Sequence, residues 1–174
     1  MAWWERKKKL GKTTPSISPR QIAAVTSRVD VGSLAPPLAD YVASAAALQL
    51  TLAGELAAAS LDAWSAQDAD DLIVASGVAM DRYRAFRAIL ADYVEDVSDA
   101  LAPPRDKISR HFERFQSSRW YEDVATVYVV TGFTRDFWHL LASGLPDAMA
   151  ARLQDILVDQ GDEALMAGVL ERLL

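Results

Sequence analysis

Two short segments in the second half of the chain carry the residue types that bind metals. Asp136-x-x-His139 lies on one predicted helix, and Asp159-x-x-Asp162, followed by Glu163, lies on the next. Side chains three residues apart leave a helix from one face, so each pair has the spacing of a chelate. The first half offers no matching set, because Gln49 and Arg82 stand on its long apolar helices where partner ligands would be sought. A carboxamide gives only a neutral oxygen and a guanidinium has no lone pair, so neither completes a site for two ions. Taken by itself, Asp136-x-x-His139 beside Arg135 reads as a solvent-facing pair. Asp159, Asp162 and Glu163 read as an acidic face, although the apolar neighbours Ile156, Leu157, Leu165 and Met166 leave burial of Asp159 or Asp162 open. His111, between Arg110 and Glu113, reads as a surface residue.

Composition narrows the chemistry further. The 174 residues suit one domain, and about half are apolar, with Ala and Leu outnumbering Val and Ile. That balance favours helix, where Ala loses no side-chain entropy. There is no cysteine, which excludes disulfides, thiolate metal sites and a cysteine nucleophile, and is compatible with a cytoplasmic location. No glycine-rich phosphate loop, Ser-His-Asp set or zinc spacing is present. Residues 1–20 carry a net charge of +5 and the remainder −11, for a total of −6. An acidic body argues against broad binding to a phosphate backbone, and no specific nucleic-acid binding by the folded body is expected. The basic arm, with Trp3-Trp4 beside Arg6 and Lys7-Lys8-Lys9, suits an anionic partner or a membrane surface.

The elements that must position these residues are helical. Residues 1–19 read as a flexible basic arm and 20–174 as one helical domain. Ser18-Pro19 caps a short helix near Arg20 to Arg28, and Gly32-Ser33 and Pro36-Pro37 break it. Leu38, Tyr41, Val42, Ala45, Leu48, Leu52 and Leu56 repeat at three and four residues and predict a helix ending near Trp64. Its apolar stretch Val42–Leu61 includes Gln49, Thr51 and Glu55, and a carboxylate in mid-membrane costs about 2–3 kcal/mol, so a buried bundle helix is expected rather than a membrane span. Glu55 needs a partner, for which Arg84 or Arg87 on the next helix would serve. That next helix starts at the acidic Asp68-Ala-Asp-Asp71 and runs to about Val97, with a connection ended by Pro103-Pro104. A short polar helix is expected over Arg105–Phe115. Ser117-Ser118 then caps a helix over Arg119–Ala142, and a last helix runs without interruption from Asp147 to the end of the sequence. Trp120, Tyr121, Tyr128, Phe133, Phe137 and Trp138 recur at helical spacing and read as core or as contacts between subunits.

The segments Trp120-Tyr-Glu-Asp-Val-Ala-Thr-Val-Tyr128, Gly132-Phe-Thr-Arg-Asp-Phe-Trp138 and Leu157-Val-Asp-Gln-Gly-Asp-Glu163 resemble actinobacterial ferritin-like proteins similar to tRNA 2-methylthio-isopentenyladenosine hydroxylase. The resemblance implies an all-α, ferritin-like four-helix bundle with a short extra N-terminal helix, whose parent chemistry uses two iron ions and oxygen. Carried over position by position, the former metal-site residues are Gln49 on the first helix, Ala79 and Arg82 on the second, Asp136 on the third, and Asp159 and Asp162 on the fourth. The ligand set is then degenerate. Arg82 is expected to replace the metal electrostatically, its fork bridging Asp136 and Asp162. The leading expectation is a non-catalytic interaction or scaffold domain without a cofactor, forming homo- or hetero-oligomers through helical faces. The alternative is a diiron oxygenase or hydroxylase that binds iron; in that case Gln49 and Arg82 would point outward, and Glu55, Asp81 and Asp136 would return as candidate ligands.

Overall fold

A computed structural model of the chain describes residues 34–115, 117 and 119–173. The expected basic arm, with Trp3-Trp4, and the short helix near Arg20–Arg28 lie outside the described residues. Among those described, the fold is all-α. Six helices follow in order: α1 (Leu38–Leu61), α2 (Ala66–Leu90), α3 (Val97–Phe112), α4 (Trp120–Ala142), α5 (Asp147–Ile156) and α6 (Asp162–Arg172).

α1 follows Pro36-Pro37 and packs chiefly on α2, then on α3 and α4. It is the one described helix long and apolar enough to cross a membrane by length and composition. Here it is mostly buried by its helical neighbours, with Tyr41, Val42, Ala45, Ala46, Leu52 and Leu56 fully enclosed. α2 begins at an N-cap where the Ser65 hydroxyl accepts from the Asp68 N–H and donates to the Asp68 carboxylate. That reciprocal pair satisfies an orphan donor at the helix start. From there α2 returns antiparallel to α1, tied to it where the Ser76 hydroxyl donates to the Ala53 carbonyl at 2.8 Å.

Several expected boundaries move. α2 ends at Leu90, not Val97, because Asp96 caps a new helix by accepting from the Ser98 and Asp99 N–H groups. The expected break at Pro103-Pro104 does not occur, since both prolines sit inside α3, which also replaces the short helix expected over Arg105–Phe115. A proline in a helix interior deprives the carbonyl four residues earlier of its donor. Here those carbonyls belong to Asp99, which is exposed, and Ala100, which is half-buried. α1 stops at Leu61 rather than Trp64, and the N-cap of α4 is Arg119, with no side-chain cap from Ser117. The uninterrupted last helix is divided into α5 and α6 by a turn at Leu157–Gly161. Gly161 has φ +91°, a left-handed conformation that only glycine adopts at little cost. The Asp159 carboxylate accepts from the Gly161 N–H and fixes the turn.

α1, α2, α6 and α4 close into a ring: α2 packs on α1 and α6, and α4 packs on α1 and α6, with α5 against α4 and α2. α3 lies outside this ring on α1, within the long connection from α2 to α4.

Candidate functional site

The ring holds two apolar clusters at different heights. One contains Leu52, Leu56, Leu72, Val124, Met166 and Val169, and the other Tyr41, Phe86, Ile89, Leu141, Leu153 and Leu157. On every helix of the ring, one buried polar residue falls in sequence at or near the boundary of the two. These are Gln49 on α1, Arg82 on α2, Thr131 on α4 and Asp162 at the start of α6, each no more than 5 % exposed. Burying a polar group costs free energy unless it is hydrogen-bonded, and a charge costs far more. All four of these polar residues (the polar level) are therefore part of the interior and not of the surface.

Arg82 and Asp162 satisfy each other. The guanidinium donates from Nη1 to Asp162 Oδ2 at 2.7 Å and from Nη2 to Asp162 Oδ1 at 2.8 Å, a two-pronged fork. Nη2 also donates to the Val158 carbonyl at 3.0 Å, a group freed by the break between α5 and α6. Both side chains are 3 % exposed. Burial pushes the Asp162 carboxyl up, but the hydrogen bonds and positive charge of Arg82 outweigh that and hold it below the ordinary carboxylate range. The turn at Gly161 makes this possible, because it brings both the Val158 carbonyl and Asp162 to face α2.

The remaining former ligand positions divide. Gln49 and Ala79 are buried, and Gln49 Oε1, Thr131 Oγ1 and Arg82 Nε find no protein partner. Asp136 and His139 are exposed on α4. The expected bridge from Arg82 to Asp136 is thus corrected: the fork closes on both oxygens of Asp162 alone. The reason is register. Val124, Val127, Thr131, Arg135, Trp138 and Ala142 form the inward stripe of α4 at three- and four-residue steps, and Asp136 lies about 100° round the helix from it. Asp159 sits in the turn and not on a helix with Asp162, so the expected chelate spacing does not exist. It lies instead 3.6 Å from Arg135, whose other arm reaches Glu163 at 2.7 Å. Gly132 allows this approach of α4 to α6, since a Cβ there would stand 3.2 Å from Glu163 Oε1.

The other singled-out residues lie outside this level. His111 is exposed, its Nδ1 2.7 Å from the Lys107 carbonyl. Asp81 is exposed and pairs with Arg84 at 2.7 Å, so Arg84 is not the partner expected for Glu55. Glu55 lies two residues beyond Ala53, roughly 200° round α1 from the face that meets α2, and stands beside Asp123, Phe112 and Phe115. Burial first, and then the negative charge of Asp123, raise its carboxyl pKa. Of the aromatic set, Trp120 is buried, whereas Phe133 and Phe137 stack on each other at the surface of α4. Sequence reasoning missed the Arg135–Glu163 pair and a second ionic contact from α6 to α2, where Arg172 reaches Asp68 at 2.7 Å and Asp71 at 2.6 Å.

The interior does not fit two iron ions. The one fully buried carboxylate of the level is held by a guanidinium on both oxygens, Asp136 faces away, and Gln49 is neutral. Among the described residues, no three His, Asp or Glu side chains converge as a metal-binding group. Comparison with known proteins yields no match to a family model, to a curated protein or to a solved structure.

Proposed function

We propose that the chain is a ferritin-like four-helix bundle in which Arg82 takes the place of the metal, and that it acts as a non-catalytic interaction or scaffold domain in the cytoplasm. The observation that carries this reading is the buried fork of Arg82 on Asp162, which balances charge where the ferritin-like resemblance puts a metal ligand. The helix order supports it as well. α1 and α2 are antiparallel, the connection carrying α3 crosses over, and α4 then runs alongside α1 in the opposite direction before the chain returns through α5 and α6. This is the arrangement expected of a ferritin-like bundle with one long crossover.

The interaction role draws on α4. Val129, Phe133, Phe137 and Leu140 are 64, 62, 45 and 50 % exposed and follow one another at four-, four- and three-residue steps. An apolar stripe of this kind is a contact surface, and a second copy or another helical protein is the partner it suits. The hydroxylase alternative asks the same interior to hold two metal ions, for which it lacks carboxylates.

Anaerobic incubation with ferrous iron, desalting and elemental analysis test the proposal. Iron well below one per chain is expected. Near two irons per chain, with an absorbance change on admitting oxygen, overturns it.

A further inference from the structure

α3 is held differently from the helices of the ring. Of its sixteen residues only Leu101 and Phe112 are buried, each 8 % exposed, whereas more than half of α1 is enclosed. Leu101 belongs to the apolar cluster with Tyr41 and Phe86, and Phe112 to the one with Leu52 and Leu56. The helix therefore lies across both clusters on two anchors about 16 Å apart. Among the described residues its principal neighbour is α1. Toward α4 it leaves a groove of about 370 Å³, walled by Ile108 and Phe112 on one side and by Val130 and Trp138 on the other, and lined also by Leu48 of α1.

Three features weaken its hold. Pro103 and Pro104 lie inside α3 and have no N–H, so two of the helix's internal hydrogen bonds are missing. Two buried side chains offer little packing to stabilise a helix of this length, since most helical stability in a protein comes from the buried face. The third feature lies on the α1 side, where Phe112 and Phe115 stand beside Glu55 of α1 and Asp123 of α4. Apart from the two acids, the described residues lining that space are Phe112, Phe115, Thr126 and Val127, none of them a cation. Burial first, and then the charge of Asp123, raise the Glu55 carboxyl, so enclosing these acids against α3 costs free energy that opening to water recovers. The chain enters α3 through residues 91–96. It leaves toward α4 past Ser117, whose N–H donates to Asp123 at 2.9 Å and fastens that end to α4.

We infer that α3 is a strap that lifts off α1 as one unit while the ring stays folded, and that its lifting uncovers Leu48 and Glu55 of α1 together with the groove wall on α4. Neither the Arg82–Asp162 pair nor the outer stripe of α4 takes part, so this inference stands apart from the metal and interaction readings.

Hydrogen exchange of the full chain under native conditions, read by mass spectrometry of its peptides, tests the strap. Relative to an unstructured chain, amides of residues 97–112 are expected to exchange roughly a hundredfold faster than those of α1 and α2, with both halves of α3 exchanging together. Phe112→Ala should raise exchange throughout α3 by roughly tenfold or more and leave α2 and α6 unchanged. Glu55→Gln should lower exchange in α3 by roughly two- to tenfold, because it removes a charge that the closed strap encloses. Amides of α3 as protected as those of α1 would overturn the inference, as would exchange confined to one half of the helix. So would Phe112→Ala loosening every helix alike, or Glu55→Gln leaving exchange in α3 unchanged or faster.

Discussion

Arginine ties α2 to α6 twice, by the same chemistry with the cation enclosed in one place and half-open in the other. Arg82 meets Asp162 in the level between the two apolar clusters, with both side chains 3 % exposed. Arg172 meets Asp68 and Asp71 at the end of the bundle, itself 41 % exposed although both acids are buried. At the end, water can solvate the arginine if the pair opens. In the interior, losing one partner leaves the other charged, enclosed and without solvent. The influences that oppose burial also differ between the acids. Burial raises both carboxyls, and for Asp162 the chief opposing influence is Arg82, with hydrogen bonds from Asp159 and the backbone after it, whereas for Asp68 it is Ser65 first and then Arg172. The comparison separates an ion pair that fixes how the interior is built from one that fastens an edge.

The largest effect separating the two regions is expected from Arg82→Met, which should lower stability by about 3–5 kcal/mol in urea denaturation. The pH dependence should change sign with it. In the unaltered protein the Asp162 pKa is lowered, so its contribution is present above the unfolded value of about 3.9 and is lost as pH falls toward the folded value. Without Arg82, burial, the largest influence, is opposed only by the hydrogen bonds from Asp159 and the backbone, the folded state binds the proton more tightly, and the variant should gain stability as pH falls from 7 to 5. A variant whose stability is flat or falls over that range would deny Asp162 this role.

Gly161→Ala forces a side chain into a left-handed backbone and disturbs the turn that presents Asp162, for an expected loss of about 1–2 kcal/mol by thermal or chemical melting. An unchanged melting curve would show that the turn does not position the buried acid. Arg172→Gln should cost about 1–2 kcal/mol, less than Arg82→Met, because the guanidinium is partly open to water while Asp68 keeps Ser65 and Asp71 keeps Gln67 as hydrogen-bond donors. If it cost as much as Arg82→Met, the contrast between edge and interior would fail. Smallest of all, Gln49→Leu should leave stability within about 1 kcal/mol of the parent or raise it, since Gln49 Oε1 has no protein partner to lose. A large loss would mean that Gln49 serves the polar level through a contact not provided by these side chains.

Much of the helical framework was legible in the sequence. The three- and four-residue spacing from Leu38 to Leu56 and from Leu72 to Leu90 marks the buried faces of α1 and α2, and the same spacing places Arg82 among α2's inward residues. The boundaries were less legible. Asp96-Val-Ser-Asp99 is a helix-start signal that the apolar pattern running toward Val97 conceals, and the doubled proline obscures a helix that runs through both prolines. At the site, the stripe Val124, Val127, Thr131, Arg135 and Trp138 already puts Arg135 inward and Asp136 outward. Reading for metal-binding residue types drew attention to the neighbour instead. The division at Gly161 depends on a positive φ, which the residue permits but does not require. For that reason Asp159 and Asp162 read as one helical pair when a turn separates their roles. The partner of Glu55 was sought on α2 because the hairpin is near in sequence, whereas its side of α1 faces α3 and α4.

The most direct test of the account is a double-mutant cycle on Arg82→Met and Asp162→Leu, read by urea denaturation at neutral pH. If the guanidinium and carboxylate balance each other in the interior, each single variant loses several kcal/mol and the double variant regains most of it, with a coupling of about 2 kcal/mol or more. Losses that simply add would contradict the claim that Arg82 supplies the charge this interior requires.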